Sequence, residues 1–389
     1  MSRGAESVLQ TLRRPQLGRL QLHDFRSYRD LDQAFSARLI ALTGENGAGK
    51  TNILEAISLL TAGRGLRRAD LNACAHDQGA GGWALSAHFQ DQGDTIQLGT
   101  GIEPAHNGQT QGRRYRMDRA PISSIRAFAD HVRIVWLTPA MDGLFTGQAG
   151  DRRRFLDRLV LAVDADHGTR VNGLEKALRN RNRLLEEGTR DPLWLDAAEK
   201  EVAELAIAVA AARAETVARL SSLILSRRDD QSCFPWAQMA LTGEVETLVT
   251  QRPALEAEET YRQTLRLNRA RDAAAGRTLI GPQTSDLLVH HGPKQRPAAQ
   301  SSTGEQKALL VGLVLAHARL VAEMSGIVPL VLLDEITAHF DPMRRAALFD
   351  ALEELGGQVW MTGADPQAFE ELKEGAQLFR VLPGRVEAL

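Results

Sequence analysis

Three short segments hold residue types suited to phosphate chemistry. The first is Gly44-Glu45-Asn46-Gly47-Ala48-Gly49-Lys50-Thr51, followed by Asn52. An apolar run, Leu39 to Leu42, precedes it and reads as a buried strand. Asn52 to Leu60 follows and reads as a helix with Ile53, Ala56, Ile57 and Leu60 on one face. Strand, glycine-rich loop and helix is the context a phosphate loop requires. Glycines at 44, 47 and 49 allow positive φ, so that backbone N–H groups approach phosphate oxygens where a side chain would collide. The helix start adds free N–H groups and the positive end of its dipole, Lys50 is placed to reach the β- and γ-phosphates, and the Thr51 hydroxyl suits Mg2+. ATP or GTP is the expected ligand, with Mg2+ beside it.

The second segment is Leu330-Val331-Leu332-Leu333-Asp334-Glu335. Four apolar residues predict a central parallel strand whose C-terminal end delivers Asp334 beside the phosphate loop, where a carboxylate can hold Mg2+. Glu335 is then the candidate to orient and polarise the attacking water. The expected catalytic set is Glu335, Lys50 and Asp334, and the expected metal set is Thr51 and Asp334. The third segment, Ser301 to Lys307, is a small-residue turn that starts a helix. As local structure it reads as a capping box, Ser302 bonding back to the N–H near Glu305. Its Ser hydroxyl and the Gly304 N–H also make it a second anion site.

These residues need a scaffold, and the rest of the chain bounds its kind. At 389 residues, with 43% apolar and 25% charged residues, the chain can hold two or three compact domains. The long apolar stretch from Ala203 to Leu225 is interrupted by Glu204, Arg213, Glu215 and Arg219, which argues against a membrane span. The N-terminal residues lack the unbroken apolar core of a secretory signal, and Cys74 and Cys233 give neither a disulfide framework nor a metal cluster. A cytoplasmic chain with both cysteines buried is expected. Net charge is −2, yet arginines cluster at Arg67-Arg68, at Arg113-Arg114 with Arg116, at Arg152-Arg153-Arg154 and at Arg179, Arg181 and Arg183. Such runs are usually solvated faces, and only convergence on one surface makes a phosphate track.

Along the chain, short apolar runs at 83–89, 96–98 and 132–137 read as strands of a mixed sheet. From Gly150 to Ala275 the texture is helical, with Leu195, Ala198, Val202, Leu205, Val209, Ala212, Leu220 and Leu223 recurring at helical spacing. After Gly281-Pro282 an α/β pattern returns: a helix over 304–323, the 330–333 strand, a helix after Pro342 and a strand over 358–361. Neither half has enough strands to close a sheet alone. The expected fold is therefore α/β, one nucleotide-binding head assembled from both ends of the chain (1–149 and 276–389) with an inserted helical lobe (150–275).

In order and type, the phosphate loop, the Ser302-Thr303-Gly304-Glu305 turn, the Asp334-Glu335 strand and Ala338-His339-Phe340-Asp341 resemble the motif set of ABC-type ATPases. Leu20 to Tyr28, Gly44 to Ala56, Arg152 to Asp157 and Gly281-Pro282 narrow the resemblance to the RecF family of bacterial DNA replication and repair ATPases. That resemblance implies an SMC-like head that binds ATP at a homodimer interface. Lys50, Thr51, Asp334 and Glu335 of one subunit would share a nucleotide with Ser302 and Gly304 of the other, the nucleotide contacts being residues 44–52, Ser302, Gly304 and Asp341. It further implies slow, DNA-stimulated hydrolysis and a clamp on double-stranded DNA near single-strand gaps. Partnership with RecR and RecO, and RecA loading, come with it. Candidate DNA contacts are Arg67, Arg68, Arg113, Arg152 and Arg153. The chain departs from the family pattern at several points. Gln283-Thr284-Ser285 stands where His-Arg-Asp is usual, Ala149 replaces a proline, and Glu305 replaces a commoner glutamine. Thr362-Gly363 follows its strand without a switch histidine, leaving Thr362 to contact the phosphate-side water. A transporter ATPase subunit and a nucleotide-gated scaffold with little hydrolysis share the same nucleotide motifs and stand as alternatives.

Overall fold

The computed structural model describes residues 12–105, 112–188, 192–336, 340–372 and 375–389. The chain divides into two compact units. The first comprises Met1–Asp142, Gln231–Phe234 and Leu310–Leu389, and the second Gly143–Asp230 and Pro235–Leu309. In this division residues 276–309 group with the helical segment.

The first unit contains two six-stranded sheets, where the sequence suggests one mixed sheet. One sheet is antiparallel, in the order β2-β1-β4-β5-β6-β7. Its strands are β1 (Gln16–Phe25), β2 (Tyr28–Ala34), β4 (Trp83–Asp91), β5 (Asp94–Ile102), β6 (Arg114–Met117) and β7 (Ala120–Ile122). Trp83, Leu85, Ala87 and Phe89 of β4 alternate inward, the period of a strand with one face on a core.

The other sheet runs β15-β14-β3-β13-β12-β8. Here β3 is Leu39–Thr43, β8 Ile134–Leu137, β12 Leu330–Leu333, β13 Val359–Gly363, β14 Gln377–Leu382 and β15 Arg385–Ala388. The central pairs β14–β3, β3–β13, β13–β12 and β12–β8 are all parallel. Strands β3, β8, β12 and β13 are buried at every residue, as parallel strands covered on both faces must be. Because β3 and β8 come from one end of the chain and β12 to β15 from the other, the head is built from both ends, as the sequence predicts. One core joins the sheets through Leu20, Phe25 and Leu85 on one side and Ile40, Leu42, Leu332 and Trp360 on the other.

In the second unit the helix Pro192–Ser226 buries Leu195, Ala198, Val202, Val209, Leu220 and Leu223. Helices His167–Glu186, Glu244–Gln251 and Ala254–Leu267 pack along it, sharing a core with Leu174, Val245 and Tyr261. The region is not wholly helical: β9 (Ala237–Thr242) pairs with β10 (Asp286–His291), and β10 with β11 (Arg296–Pro297). Strand β9 is six residues long and goes unseen within the helical reading because its partner lies 44 to 54 residues away in sequence.

Arg181 leaves the solvated arginine cluster altogether. It is fully buried, and donates to Asp272 Oδ2 at 2.8 Å, Glu199 Oε1 at 3.2 Å and the Leu265 carbonyl at 2.8 Å. Cys74 is buried as expected, whereas Cys233 is only half-buried. The helix Thr303–Ser325 is long and apolar enough to cross a membrane, but 67% of its most apolar window is buried within the protein.

Candidate nucleotide site

Strand β3 ends at Thr43, whose hydroxyl donates to the Phe379 carbonyl at 3.1 Å and fixes where the loop begins. Gly44 has φ +142°, and a Cβ there would lie 2.4 Å from the Val381 carbonyl oxygen. Gly49 has φ +115° and is crowded by Tyr28, whose hydroxyl donates to the Gly49 carbonyl at 3.2 Å. Only glycine meets both demands. Glu45, Asn46 and Gly47 form an exposed tip, while Ala48 and Gly49 are buried.

The helix Lys50–Ser58 follows directly and buries Ile53, Ala56 and Ile57, with Leu60 beyond its end. Asn52 Nδ2 donates to Ser27 Oγ at 2.8 Å. Lys50 Nζ donates to the carbonyls of Gly44 at 2.6 Å and Glu45 at 2.8 Å, so the lysine spans the loop's own opening. Burial lowers its pKa, against the negative charge of Glu335 and Asp334.

Asp334 arrives at the end of β12, its N–H donating to Leu137 of β8 at 2.9 Å. Its Oδ1 accepts two hydroxyls, Thr51 at 2.9 Å and Thr362 at 2.8 Å. The pairing of β12 to β13, and of β13 to β3, brings the three residues together although 283 positions separate Thr51 from Asp334. Glu335 is exposed and takes φ +50°, an uncommon conformation for a non-glycine residue. Its N–H donates to Thr362 Oγ1 at 2.8 Å. Thr362 thus bonds to both acidic residues and serves as their brace.

Two hard oxygen donors 2.9 Å apart, the Thr51 hydroxyl and the Asp334 carboxylate, fit Mg2+ held chiefly by phosphate oxygens and water. No group of three His, Cys, Asp or Glu able to hold a metal occurs among the described residues, and such a site does not need one.

Beneath the loop lies an ion cluster that the sequence reading missed. Glu55, fully buried, accepts from Arg26 through both oxygens at 2.9 and 2.8 Å and from Arg67 at 2.8 Å. Arg67 also donates to Asn52 Oδ1 at 2.6 Å. In helical projection Glu55 falls opposite the Ile53, Ala56, Ile57 and Leu60 face, so the sequence offers no sign that this carboxylate is buried and needs partners.

The Ser302 turn belongs to the second unit and forms the expected capping box. The Ser302 N–H donates to Glu305 Oε2 at 2.9 Å, and the Glu305 N–H donates to Ser302 Oγ at 3.4 Å. Asp341 caps the helix Pro342–Leu355, its Oδ1 accepting from the Arg344 N–H at 2.8 Å. Ala338 and His339 lie outside the described residues.

Of the five candidate DNA-binding arginines, Arg113, Arg152 and Arg153 bond to other groups of the protein, as Arg67 does with Glu55 and Asn52. Arg113 donates to Leu59 O, to Gly63 O at 3.1 Å and to Thr100 Oγ1 at 2.9 Å, and burial pushes its pKa down to about 10. Arg152 grips Asp286 with two bonds at 2.7 and 2.8 Å, and Arg153 donates to the Ser285 carbonyl at 2.6 Å. Arg67 and Arg68 are exposed.

A glycine-rich loop between a parallel strand and a helix, with an acidic strand end beside it, defines a phosphate-loop nucleotide-binding head. The sequence profile described as RecF/RecN/SMC N terminal domain matches residues 16–385. The DNA replication and repair protein RecF of Mesorhizobium japonicum is 52% identical over 370 residues, covering 95% of this chain and 97% of that protein. RecF of Agrobacterium fabrum is 51% identical over 373 residues, covering 96% and 98%.

Among solved structures, the recombination mediator protein RecF-ATPrS in the RecFOR pathway superposes with a TM-score of 0.84 at 19% identity, covering 97% of this chain and 99% of that one. An Smc head domain derived from Pyrococcus furiosus reaches 0.50 at 14% identity, covering 96% of each. The chain belongs to the RecF family of DNA replication and repair proteins. That membership sets the transporter-subunit reading aside.

Proposed function

We propose that this protein is an ATP-gated DNA clamp. It binds ATP and Mg2+ on residues 44–52 and hydrolyses ATP slowly, stimulated by DNA, at a homodimer interface. Clamp closure holds double-stranded DNA near single-strand gaps, where the protein works with RecR and RecO to aid RecA loading in the cytoplasm. The observation that carries the reading is Asp334 Oδ1 shared by Thr51 and Thr362, which ties the phosphate loop to the acidic strand end.

The residues divide the work by chemistry. Backbone N–H groups of Gly44 to Gly49 and the helix start hold the phosphates, and Lys50 turns from the loop carbonyls to the β- and γ-phosphates. Thr51 and Asp334 would hold Mg2+, which would supply neutralisation of phosphate charge. Glu335 orients the attacking water as general base. Ser302 and Gly304 of the partner subunit complete the γ-phosphate site, with Asp341 lending its carboxylate near the same nucleotide. Arg67 and Arg68, exposed next to the loop's helix, are the DNA contacts this reading retains. The head takes both chain ends, and the inserted lobe acts as a short SMC-like arm.

The deciding experiment measures duplex binding with and without ATP at fixed salt, together with sedimentation of Glu335→Gln in ATP. Closure adds affinity, and the variant accumulates as a dimer. Lys50→Ala abolishes both effects. Equal, weak DNA binding in both conditions, or a strictly monomeric Glu335→Gln protein, refutes the clamp.

A further inference from the structure

Glu305 sits one residue after Gly304 in the turn that the proposed function brings against a partner's triphosphate. A bare carboxylate there would repel the incoming anion. The structure shows it held. Lys294 pairs with Oε1, and Arg296 Nη2 donates to Oε2 at 2.9 Å, alongside the Ser302 N–H. These contacts lower the Glu305 pKa to about 2, with Lys294 the largest cause.

Both cations come from the β10–β11 hairpin, whose turn is built to present them. Gly292 donates to the Trp236 carbonyl at 3.0 Å, and a Cβ on it would collide with the Trp236 ring at 2.3 Å. Gln295 takes φ +49°, and the Lys294 N–H donates to His291 Nδ1 at 3.3 Å. Arg296 is paired in register with His291. The hairpin therefore sets two guanidinium or ammonium charges against one carboxylate, leaving the turn with one surplus positive charge. Lys294 and Arg296 remain partly exposed, at 46% and 38% of their side chains, and so face solvent from which a second molecule approaches.

We propose that Lys294 and Arg296 are positioning residues for the shared nucleotide. By holding the Glu305 carboxylate they convert the Ser302–Gly304 turn from one that repels a triphosphate into one that accepts it. This rests on the shared-site reading above. ATP-dependent pairing of two subunits then depends on cations that never enter the phosphate loop, and the cost of losing them is charged through Glu305.

The test is a charge-rescue series in full-length protein carrying Glu335→Gln, followed by sedimentation velocity in ATP. The parent pairs. Lys294→Ala with Arg296→Ala raises the dimer dissociation constant by about tenfold or more, equal to about 1.4 kcal/mol. Binding of a fluorescent ATP analogue to monomers at low protein concentration stays within about twofold, because the cations lie outside the loop that binds it. Adding Glu305→Gln to the double variant restores pairing to within about threefold of the parent. A parent that stays monomeric brings down the shared site itself. A parent that pairs while the double variant pairs equally well, or a triple variant that is not rescued, overturns the role of Lys294 and Arg296 alone.

Discussion

The Thr362 hydroxyl donates to Asp334 Oδ1 and accepts the Glu335 N–H, each at 2.8 Å, so one buried side chain sets the position of both acidic residues. Valine is close in shape but can do neither. Removing it strands a buried carboxylate bond and leaves Glu335 without the partner that holds its left-handed backbone, a loss of about 1–3 kcal/mol. Thr362→Val is therefore expected to lower the rate of ATP hydrolysis about tenfold or more while nucleotide affinity changes little. Thr362→Ser, which keeps the hydroxyl, should retain most of the rate. Steady-state phosphate release alongside nucleotide titration checks this, and full turnover in the valine variant rules the brace out.

Arg113 closes the far end of the loop's helix. Its guanidinium bonds Leu59 O, the residue that ends the helix Lys50–Ser58, and lies over the Tyr115 ring at 5.2 Å. A cation at a helix C-terminus satisfies free carbonyls and the negative end of the dipole. With its pKa pushed down to about 10, it is still charged at neutral pH. Arg113→Met should cost about 2 kcal/mol in urea unfolding yet leave the salt dependence of DNA binding at the parental slope. A flattened slope with unchanged stability would return Arg113 to the DNA surface.

How far the sequence reached follows from which interactions are local. The phosphate loop, the capping box and the 330–333 strand were legible because each is written in consecutive residues: glycines where φ is positive, Ser302 three positions from Glu305, four apolar residues before two acids. The brace through Thr362 was not, because it depends on β13 lying between β3 and β12, a fact of sheet order. The internal bonds of Arg113, Arg152 and Arg153 were out of reach for the same reason. A charge pattern along the chain cannot distinguish an arginine facing solvent from one spent on a distant carbonyl or on Asp286. Strand β9 was hidden inside a helical stretch because its pairing partner follows Gly281-Pro282.

The second unit contains a carboxyl under strain from burial. Glu246 is 2% exposed, neither oxygen makes a full hydrogen bond among the described residues, and Arg213 Nη1 stands 3.7 Å away. Burial raises its pKa above the ordinary 4.5, outweighing Arg213. The folded protein therefore keeps a proton that the unfolded chain has already lost once pH passes 4.5. Stability is full below that value and falls as pH rises through the folded pKa. Glu246→Gln should then stabilise by about 1 kcal/mol near pH 8 and give no gain near pH 4, measured by urea unfolding at both. The same gain at both pH values would show that ionisation is not the cause.

Glu55 is held by two arginines, Arg26 and Arg67, of which only Arg67 is a proposed DNA contact. Arg26 holds both its oxygens, and Arg67 adds a third bond from a more exposed position, 38% against 20% for the Arg26 side chain. Arg26→Ala leaves a fully buried carboxylate with only Arg67, and breaking a buried pair costs about 3–5 kcal/mol. Arg67→Ala leaves the two Arg26 bonds intact, so its cost should stay near 1 kcal/mol or below. If Arg67 contacts phosphate as proposed, the same variant lowers duplex affinity across all sequences and reduces the salt slope by about one. Unfolding curves and DNA titrations at several salt concentrations on the two variants distinguish the roles. Comparable destabilisation by both, with DNA binding reduced only in proportion to folded protein, makes Arg67 a second structural partner of Glu55 and removes it from the DNA surface.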